Sequence, residues 1–416
     1  MFEGEKLNGK NGINSEVQQK INRALVIDLL RKEGVCSRAK LASVSNLKRA
    51  TITNIINDYI DCGLVVETGL LSGEKNRRSI GIKLNGQNFR VLGVMLTREK
   101  YCLLSMGLCG EIFDINEHPI KEGEDVQTII SGIKKSIDKI INMSNEYETL
   151  AIGISIPGPY KRDEGEIVYI SNLSGWDGVH IYKELQEAFE IPVFIENDAN
   201  AGAYSLLWKE KGELLNKNIV YIVAGQGIGC GVVFNGEILT GEIGLAGEIG
   251  HTSINFAGNR CECGNVGCLE TYCSTIVIEK KLRECIKNKE KTILTEDFAW
   301  ADFVKAVNQG DEVACREYEA ACKFFAVGVV NIINQFNPGV IVIGDELAQV
   351  KPEFMYKIIM AHVETAIRPL FLDGLKIKID DSKVNPIIIG AAAITAQNVL
   401  DNPFDYIEQE AIEIAN

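Results

Sequence analysis

Apolar residues recur at helical spacing through the first ninety positions. Val17, Ile21, Leu25, Val26, Leu29 and Leu30 form one stripe, opened by a capping box over Ser15-Glu16-Val17-Gln18 and closed by Gly34. Ser37 caps a second, short helix from Arg38 to Ser43, and a tight break follows at Val44-Ser45-Asn46. A third helix, from about Arg49 to Asp61, gathers Ile52, Ile55, Ile56 and Tyr59 on one face, and Gly63 closes it. Two short strands, Leu64–Thr68 and Ile80–Leu84, then flank a polar turn that holds Lys75, Asn76, Arg77 and Arg78. Three short helices, the last two in close succession, followed by a β-hairpin predict a winged helix-turn-helix.

The texture changes after Arg90. Val91–Leu96, Lys100–Met106 and Ile112–His118 read as successive strands, followed by a helix over Val126–Ile141 and a buried strand at Leu150–Ser155. Further strands are predicted at Val193–Ile195, Ile219–Val223, Gly229–Phe234, Val340–Ile343 and Leu375–Ile379. Helices are predicted at Ala199–Lys211, Cys268–Lys287, Val313–Gln335, Glu353–Ile367 and Ile387–Leu400. This alternation argues for an α/β body, most economically two lobes around one cleft.

The chain has 416 residues, enough for two or three domains. Its 46% hydrophobic and 24% charged residues exclude a disordered or low-complexity polymer. The net charge of −14 argues at first against nucleic acid, but the charge is divided. Residues 1–90 hold 15 Lys and Arg against 9 Asp and Glu, a net of +6, whereas residues 91–416 hold 28 against 48, a net of −20. A basic piece on an acidic body suggests two tasks on one chain. No apolar run of 18 residues and no secretory h-region is visible, so a cytoplasmic protein without membrane contact is expected. Its twelve cysteines are then reduced thiols or metal ligands.

On the third helix the face opposite the apolar stripe carries Arg49, Ala50, Thr51, Thr53, Asn54 and Asn57, groups suited to base edges and phosphates in a major groove. Ser37, Arg38 and Lys48 flank it as further candidate DNA contacts, and Arg77 and Arg78 at the wing can reach a phosphate or the minor groove. The plainer alternative is a helical packing module with a solvated face.

The strongest chemical signal is His251 with Cys261, Cys263 and Cys268, one imidazole and three thiols within eighteen residues. These are the donors of tetrahedral zinc, and four protein ligands leave no open position, so the metal would be structural. Glycines 258, 264 and 267 let the chain fold tightly between them, and Cys273 is a competing ligand. A metal knot here would also fix Glu248 and Glu270. Asn197-Asp198 follows a strand and precedes a helix, where α/β folds bind ligands. Singly, each of these groups suits a cap or a salt bridge; together they suit a small polyhydroxylated molecule.

Five segments in order carry a resemblance. They are Gly153-Ile154-Ser155-Ile156-Pro157-Gly158-Pro159, Ser171-Asn172-Leu173-Ser174-Gly175-Trp176, Glu196-Asn197-Asp198-Ala199-Asn200-Ala201, Gly247-Glu248-Ile249-Gly250-His251, and the run from Cys261 to Glu270. They resemble the ROK family of repressors, open reading frames and sugar kinases, over nearly all of residues 91–400. With the N-terminal reader, the chain is similar to the xylose-repressor-type members of Gram-positive bacteria. The resemblance implies a winged helix-turn-helix over 1–88 and a two-lobed, actin-like (ribonuclease-H-like) sugar-binding body with a structural zinc loop. Lobe 1 would cover 89–200 with a returning helix at 387–400, lobe 2 would cover 201–386 with the zinc loop at 251–268, and 401–416 would be a tail. It further implies that Asn197, Asp198, Glu248, His251 and Glu270 contact sugar hydroxyls. His251, Cys261, Cys263 and Cys268 would hold the zinc, His251 using one ring nitrogen for each task. In family kinases the residue matching Asp198 is the general base.

Departures from the kinase pattern separate regulator from enzyme. The Asp-x-Gly-Gly-Thr phosphate loop of family kinases is here Met95-Leu96-Thr97-Arg98-Glu99; Gly-Thr-Gly is Gly225-Gln226-Gly227; and a Gly-Gly pair is Gly344-Asp345. All three nucleotide elements are altered while the sugar elements stand. The expectation is a non-enzymatic, sugar-responsive repressor, a homodimer or dimer of dimers on palindromic operator DNA. A monosaccharide such as xylose would close the lobes and release it. The competing expectations are a ROK-type sugar kinase with an appended DNA-binding domain, and a sugar-binding protein whose N-terminal module contacts protein.

Overall fold

The computed structural model describes residues 14–72, 78–86, 88–121, 123–143, 147–161, 165–168, 175–209 and 217–407. Arg77, with Lys75 and Asn76 of the wing turn and Ser171-Asn172-Leu173-Ser174, lies outside the described residues. The chain divides into two units. The first comprises Met1–Ile156, His180–Glu196 and Ala391–Asn416, and the second Pro157–Val179 and Asn197–Gly390.

The first unit begins with α1 (Ser15–Glu33), β1 (Cys36–Ser37), α2 (Arg38–Ser45), α3 (Arg49–Asp61), β2 (Val65–Ser72) and β3 (Arg78–Leu84). The strands form a small sheet in the order β1-β3-β2, with β3 antiparallel to both neighbours. Three helices followed by a β-hairpin form the pattern expected of a winged helix-turn-helix, although α1, at 19 residues, is not short. Ser37 caps α2 by accepting from the amide of Lys40 (3.2 Å). Asn46 ends α2 at φ 58°, the left-handed region an Asn tolerates because its short side chain bonds locally. α3 buries Ile52, Ile55, Ile56 and Tyr59, as its period predicts, and Gly63 turns the chain at φ 75°.

Two details of α1 depart from expectation. Its cap is Asn14, whose Oδ1 accepts from the Val17 amide at 2.8 Å, because Ser15 is already helical. Only Val26, Ile27 and Leu30 are buried, while Val17, Ile21 and Leu25 are exposed. At 1.5 Å per residue α1 is about 28 Å long, and its buried positions are confined to the C-terminal half.

β4 (Phe89–Leu96), β5 (Lys100–Gly107), β6 (Ile112–Pro119), α4 (Val126–Met143) and β7 (Glu148–Ile156) follow. The second unit contributes the small hairpin β8 (Tyr160–Lys161) and β9 (Glu166–Ile167), and the first resumes with α5 (Ile181–Gln186) and β10 (Val193–Asn197). The first unit's large sheet has the order β10-β7-β4-β5-β6, with β4 parallel to β7 and antiparallel to β5. Every residue of β4 is buried, and α4 contributes Val126, Ile129, Ile130, Ile133 and Ile137 to the core.

The second unit continues with α6 (Asp198–Lys209), β11 (Ile219–Ala224), β12 (Ile228–Phe234) and β13 (Glu237–Ile238). Then come α7 (Glu270–Cys273), α8 (Thr275–Lys287), α9 (Trp300–Gln309), α10 (Glu312–Phe336), β14 (Val340–Gly344), α11 (Glu346–Val350), α12 (Pro352–Ala366), α13 (Pro369–Leu372) and β15 (Lys376–Ile379). Its sheet has the order β13-β12-β11-β14-β15, and α10 runs through a core that includes Ile222, Leu269, Phe325 and Ile343. The single helix expected over Cys268–Lys287 is broken at Ser274, whose extended backbone (ψ 155°) separates α7 from α8. α14 (Pro386–Asp401) closes the series, its residues to Gly390 in the second unit and from Ala391 in the first. Among the described residues no helix is long and apolar enough to cross a membrane.

Candidate sugar, metal and DNA sites

The second unit assembles its polar site on strand β12. A Cβ on Gly231 would collide with the carbonyl of Ala199, so the first turn of α6 lies directly on the strand. A Cβ on Gly247 (φ 98°) would collide with the carbonyl of Cys230, so the segment carrying Glu248 lies on the same strand. Two glycines thereby bring the Asp198 and Glu248 segments, far apart in sequence, onto one support. Asn197 joins β10 to α6: its Oδ1 accepts from the amides of Ala199 (2.9 Å) and Asn200 (3.4 Å), and its Nδ2 donates to the carbonyl of Gly158 (3.3 Å). Asp198 Oδ1 accepts from the Ala199 amide at 2.7 Å, favoured by the positive end of the helix.

His251 stands at the centre of the remaining groups. Its Nδ1 is 3.5 Å from Cys261 Sγ and 3.2 Å from Glu270 Oε1, while its Nε2 is 3.9 Å from Glu248 Oε2. The two ring nitrogens therefore face different partners, Nδ1 the Cys261 thiol and the Glu270 carboxylate and Nε2 the Glu248 carboxylate. Cys261 Sγ also donates to Glu270 Oε1 at 3.1 Å. Burial, with Glu270 nearby, pushes the Glu248 carboxyl above its usual range, against the opposing pull of His251.

One donor atom from each of His251, Cys261, Cys263 and Cys268 lies within 4.8 Å of every other, so the four can hold one metal ion. Three thiols and an imidazole are the donor set of a tetrahedral zinc. His251, Cys261 and Cys268 are buried or half-buried, whereas Cys263 is exposed, with its Sγ 3.7 Å from that of Cys268. The loop is a tight knuckle: Cys261 N donates to Asn265 O (2.9 Å), Ile254 N to Gly267 O (2.8 Å), and Leu269 N to Thr252 O (3.0 Å). Gly264 and Gly267 take left-handed φ values of 92° and 77° there. Cys273 is fully buried in the apolar core with its Sγ on the Leu269 carbonyl, away from this cluster.

The stretches matching the kinase phosphate loops have other commitments. Thr97 Oγ1 donates to Lys100 O (2.9 Å) and accepts from the amides of Lys100 (3.1 Å) and Glu99 (3.3 Å). The backbone donors that a Gly-rich turn would aim at phosphate are thus taken within the β4–β5 turn. In the second unit the Asp345 carboxylate lies where a Cβ on Gly225 would be, against the Gly225-Gln226-Gly227 turn. Glu346 accepts from Thr275 Oγ1 nearby at 3.4 Å.

In the reader, Arg49, Ala50, Thr53 and Asn54 are exposed on α3 and Thr51 is half-buried. Lys48 precedes them as a helix cap without a side-chain cap bond. Arg38 is committed internally, pairing with Glu67 on β2 (2.9 Å) and Asn57 on α3 (3.4 Å). Arg78 opens β3. A groove of about 360 Å³ between α1 and α3 is lined by Gln18, Gln19, Asn22, Thr51 and Asn54. Its α1 amides, Gln18, Gln19 and Asn22, carry no sequence signal of their own beside the apolar stripe of that helix.

The ROK family model matches residues 107–398. The xylose repressor of Caldicellulosiruptor bescii is 27% identical over 398 residues, covering 94% of this chain and 99% of that protein. The Escherichia coli DNA-binding transcriptional dual regulator NagC is 27% identical over 368 residues, covering 87% and 88%. Among solved structures, a ROK family transcriptional regulator described as a homologue of the Escherichia coli MLC protein matches with a TM-score of 0.78 and 25% identity, covering 92% of this chain and 97% of that one.

Proposed function

This chain belongs to the ROK family, and on that premise we propose that it is a cytoplasmic, sugar-responsive, DNA-binding transcriptional repressor. The observation that carries the reading is the pairing of a winged-helix reader with a site that keeps its sugar-type polar groups but closes its nucleotide elements. Relatives that span nearly the whole chain are named as repressors and regulators, in agreement with it. A monosaccharide of the xylose class is the effector. Asn197, Asp198, Glu248, His251 through Nε2, and Glu270 bind its hydroxyls, and carboxylates that accept from hydroxyls suit that task. Asp198 is a sugar ligand, not a base in phosphoryl transfer.

His251 through Nδ1, with Cys261, Cys263 and Cys268, would hold one structural zinc. Bound there, the metal cross-links the knuckle and so fixes the carboxylates of Glu248 and Glu270 at either end of it. Ser37, Arg38, Lys48, Arg49, Ala50, Thr51, Thr53, Asn54, Arg77 and Arg78 form the DNA face, with Arg38 orienting α2 through its pairs with Glu67 and Asn57. A homodimer, or dimer of dimers, presents two such faces to a palindromic operator. Sugar releases the protein by binding the low-affinity state more tightly.

The test has two arms. Thermal shift across monosaccharides should give stabilisation by at least one pentose or hexose, lost in Glu248→Gln. Gel shift on a duplex selected from random DNA should show affinity falling steeply with salt, since phosphate neutralisation releases counterions. ATP-dependent phosphorylation of a sugar, or a salt-independent shift, overturns the reading.

A further inference from the structure

Four aromatic side chains run from the recognition helix to the strand that carries Asn197. After α14 the chain turns at Asn402, and the single turn Pro403–Asp405 brings Phe404 onto the reader. The Phe404 ring stacks on Tyr59 of α3, with centroids 5.6 Å apart and planes 14° from parallel. The guanidinium of Arg23 on α1 lies over the same ring, 4.6 Å from its centroid, and its Nη2 pairs with Asp58 of α3 at 2.6 Å. One ring from the chain's end thus touches both long helices of the reader. Two residues on, Tyr406 meets Phe194 of β10, with centroids 6.5 Å apart and planes tilted by 50°. Phe194 lies three residues before Asn197 on that strand. α14 is itself seated tightly: a Cβ on Gly153 of β7 would collide with the Ala391 carbonyl and Thr395 of the helix.

Tyr59 gives this contact one opposing term. It is fully buried, and its hydroxyl has no hydrogen-bond partner among the described residues. Undocking Phe404 would let water reach that hydroxyl but would lose a stacked pair, a cation–π contact and the apolar burial that comes with them, so a ligand shifts this contact only through its differential affinity for the two arrangements.

We propose that Phe404 and Tyr406 are positioning residues that couple the sugar site to the recognition helix, relaying a change at β10 through Phe194–Tyr406 and Phe404–Tyr59. The inference rests on the repressor reading and names its regulation. It requires the relay to alter the ratio of operator affinities with and without sugar, without altering sugar affinity itself.

The experiment measures operator affinity with and without the stabilising monosaccharide, and sugar affinity by calorimetry, in the full chain. Wild type should lose operator affinity with sugar by a factor within the roughly 5- to 150-fold range of allosteric couplings. Phe404→Ala should bring that factor to within about twofold of one while sugar affinity stays within about twofold of wild type, and Phe404→Tyr should restore it. Phe194→Leu, remote from the reader, should keep sugar-free operator affinity and lose sugar-induced release, which covers the case in which Phe404→Ala loses DNA binding altogether. If both Phe404→Ala and Phe194→Leu release as wild type does, or if Phe194→Leu abolishes operator binding without sugar, the relay is wrong. If wild type itself shows no sugar effect, the repressor reading fails and the relay with it; a wild-type effect with unaffected variants sinks the relay alone.

Discussion

Replacing Cys263 by serine separates a metal site from a set of packed thiols. Among the four ligands Cys263 is the exposed one, so its side chain contributes little apolar burial. Without a metal, Cys263→Ser is an ordinary surface substitution, worth within about 0.5 kcal/mol. With zinc it removes one donor of four from a site whose binding free energy is about 10–16 kcal/mol, a loss of about 2.5–4 kcal/mol if each donor contributes equally. The second unit spans Pro157–Val179 and Asn197–Gly390, and for a body of roughly 200 residues each kcal/mol moves the melting temperature by about 2–4 °C. The expected fall is therefore about 5–16 °C, read by scanning calorimetry. A strong chelator should bring wild type down toward the variant, and elemental analysis should find about one zinc per wild-type chain. The sugar-induced thermal shift should weaken in the variant too, since Glu248 and Glu270 flank the knuckle. Melting within a degree or two of wild type, unmoved by chelator, would refute the metal argument.

Other expectations follow from single contacts. Asp311 caps α10 by accepting from Ala314 N (2.9 Å), Ile293 N (2.8 Å) and Thr292 Oγ1 (3.0 Å). Burial alone would raise its pKa, but these donors outweigh burial and hold the carboxyl below its usual range. A depressed acid stabilises above its unfolded pKa and loses that stabilisation as pH falls through the folded one. Asp311→Ala should thus cost about 1–2 kcal/mol in denaturant melts at pH 7 and progressively less in more acidic solution, whereas a pH-independent cost would contradict this. Arg49→Ala should weaken operator binding similarly across sequences and reduce the salt slope by about one if it contacts phosphate; an unchanged slope with relaxed sequence preference would assign it to a base. A coupled ADP-release assay with ATP and the stabilising sugar should show no turnover, because Thr97 takes the loop amides and Asp345 stands against Gly225.

Elements whose signals are local were legible in the sequence. α3 runs from Arg49 to Asp61 as its apolar period and closing glycine indicate, and Asn46 ends α2 at the tight break expected there. The four metal-ligand candidates converge because their spacing in one loop leaves the chain little choice. What depends on a distant partner was not legible. The stripe on α1 could not show that only its C-terminal half, from Val26, is buried while Val17 and Ile21 stay exposed. Asn14 and Ser15 are both good caps, and only the backbone selects between them. α9 went unpredicted although Phe303, Ala306 and Val307 have helical spacing and Gly310 closes the helix, so that signal was available. The shared support of β12 beneath Asp198 and Glu248 emerges only when Gly231 and Gly247 are seen against other backbone. Likewise Phe404 reads as part of a tail until its ring is found on Tyr59.

That one chain reads DNA and yields it to a sugar is open to a direct test: fluorescence anisotropy on a labelled duplex selected by the purified protein, titrated with the monosaccharide that gives the largest thermal shift, at fixed salt and without ATP. A saturable fall in anisotropy to the free-DNA value is expected, at sugar concentrations that match those of the thermal shift. A saturable rise, or no change while the thermal shift persists, would contradict it.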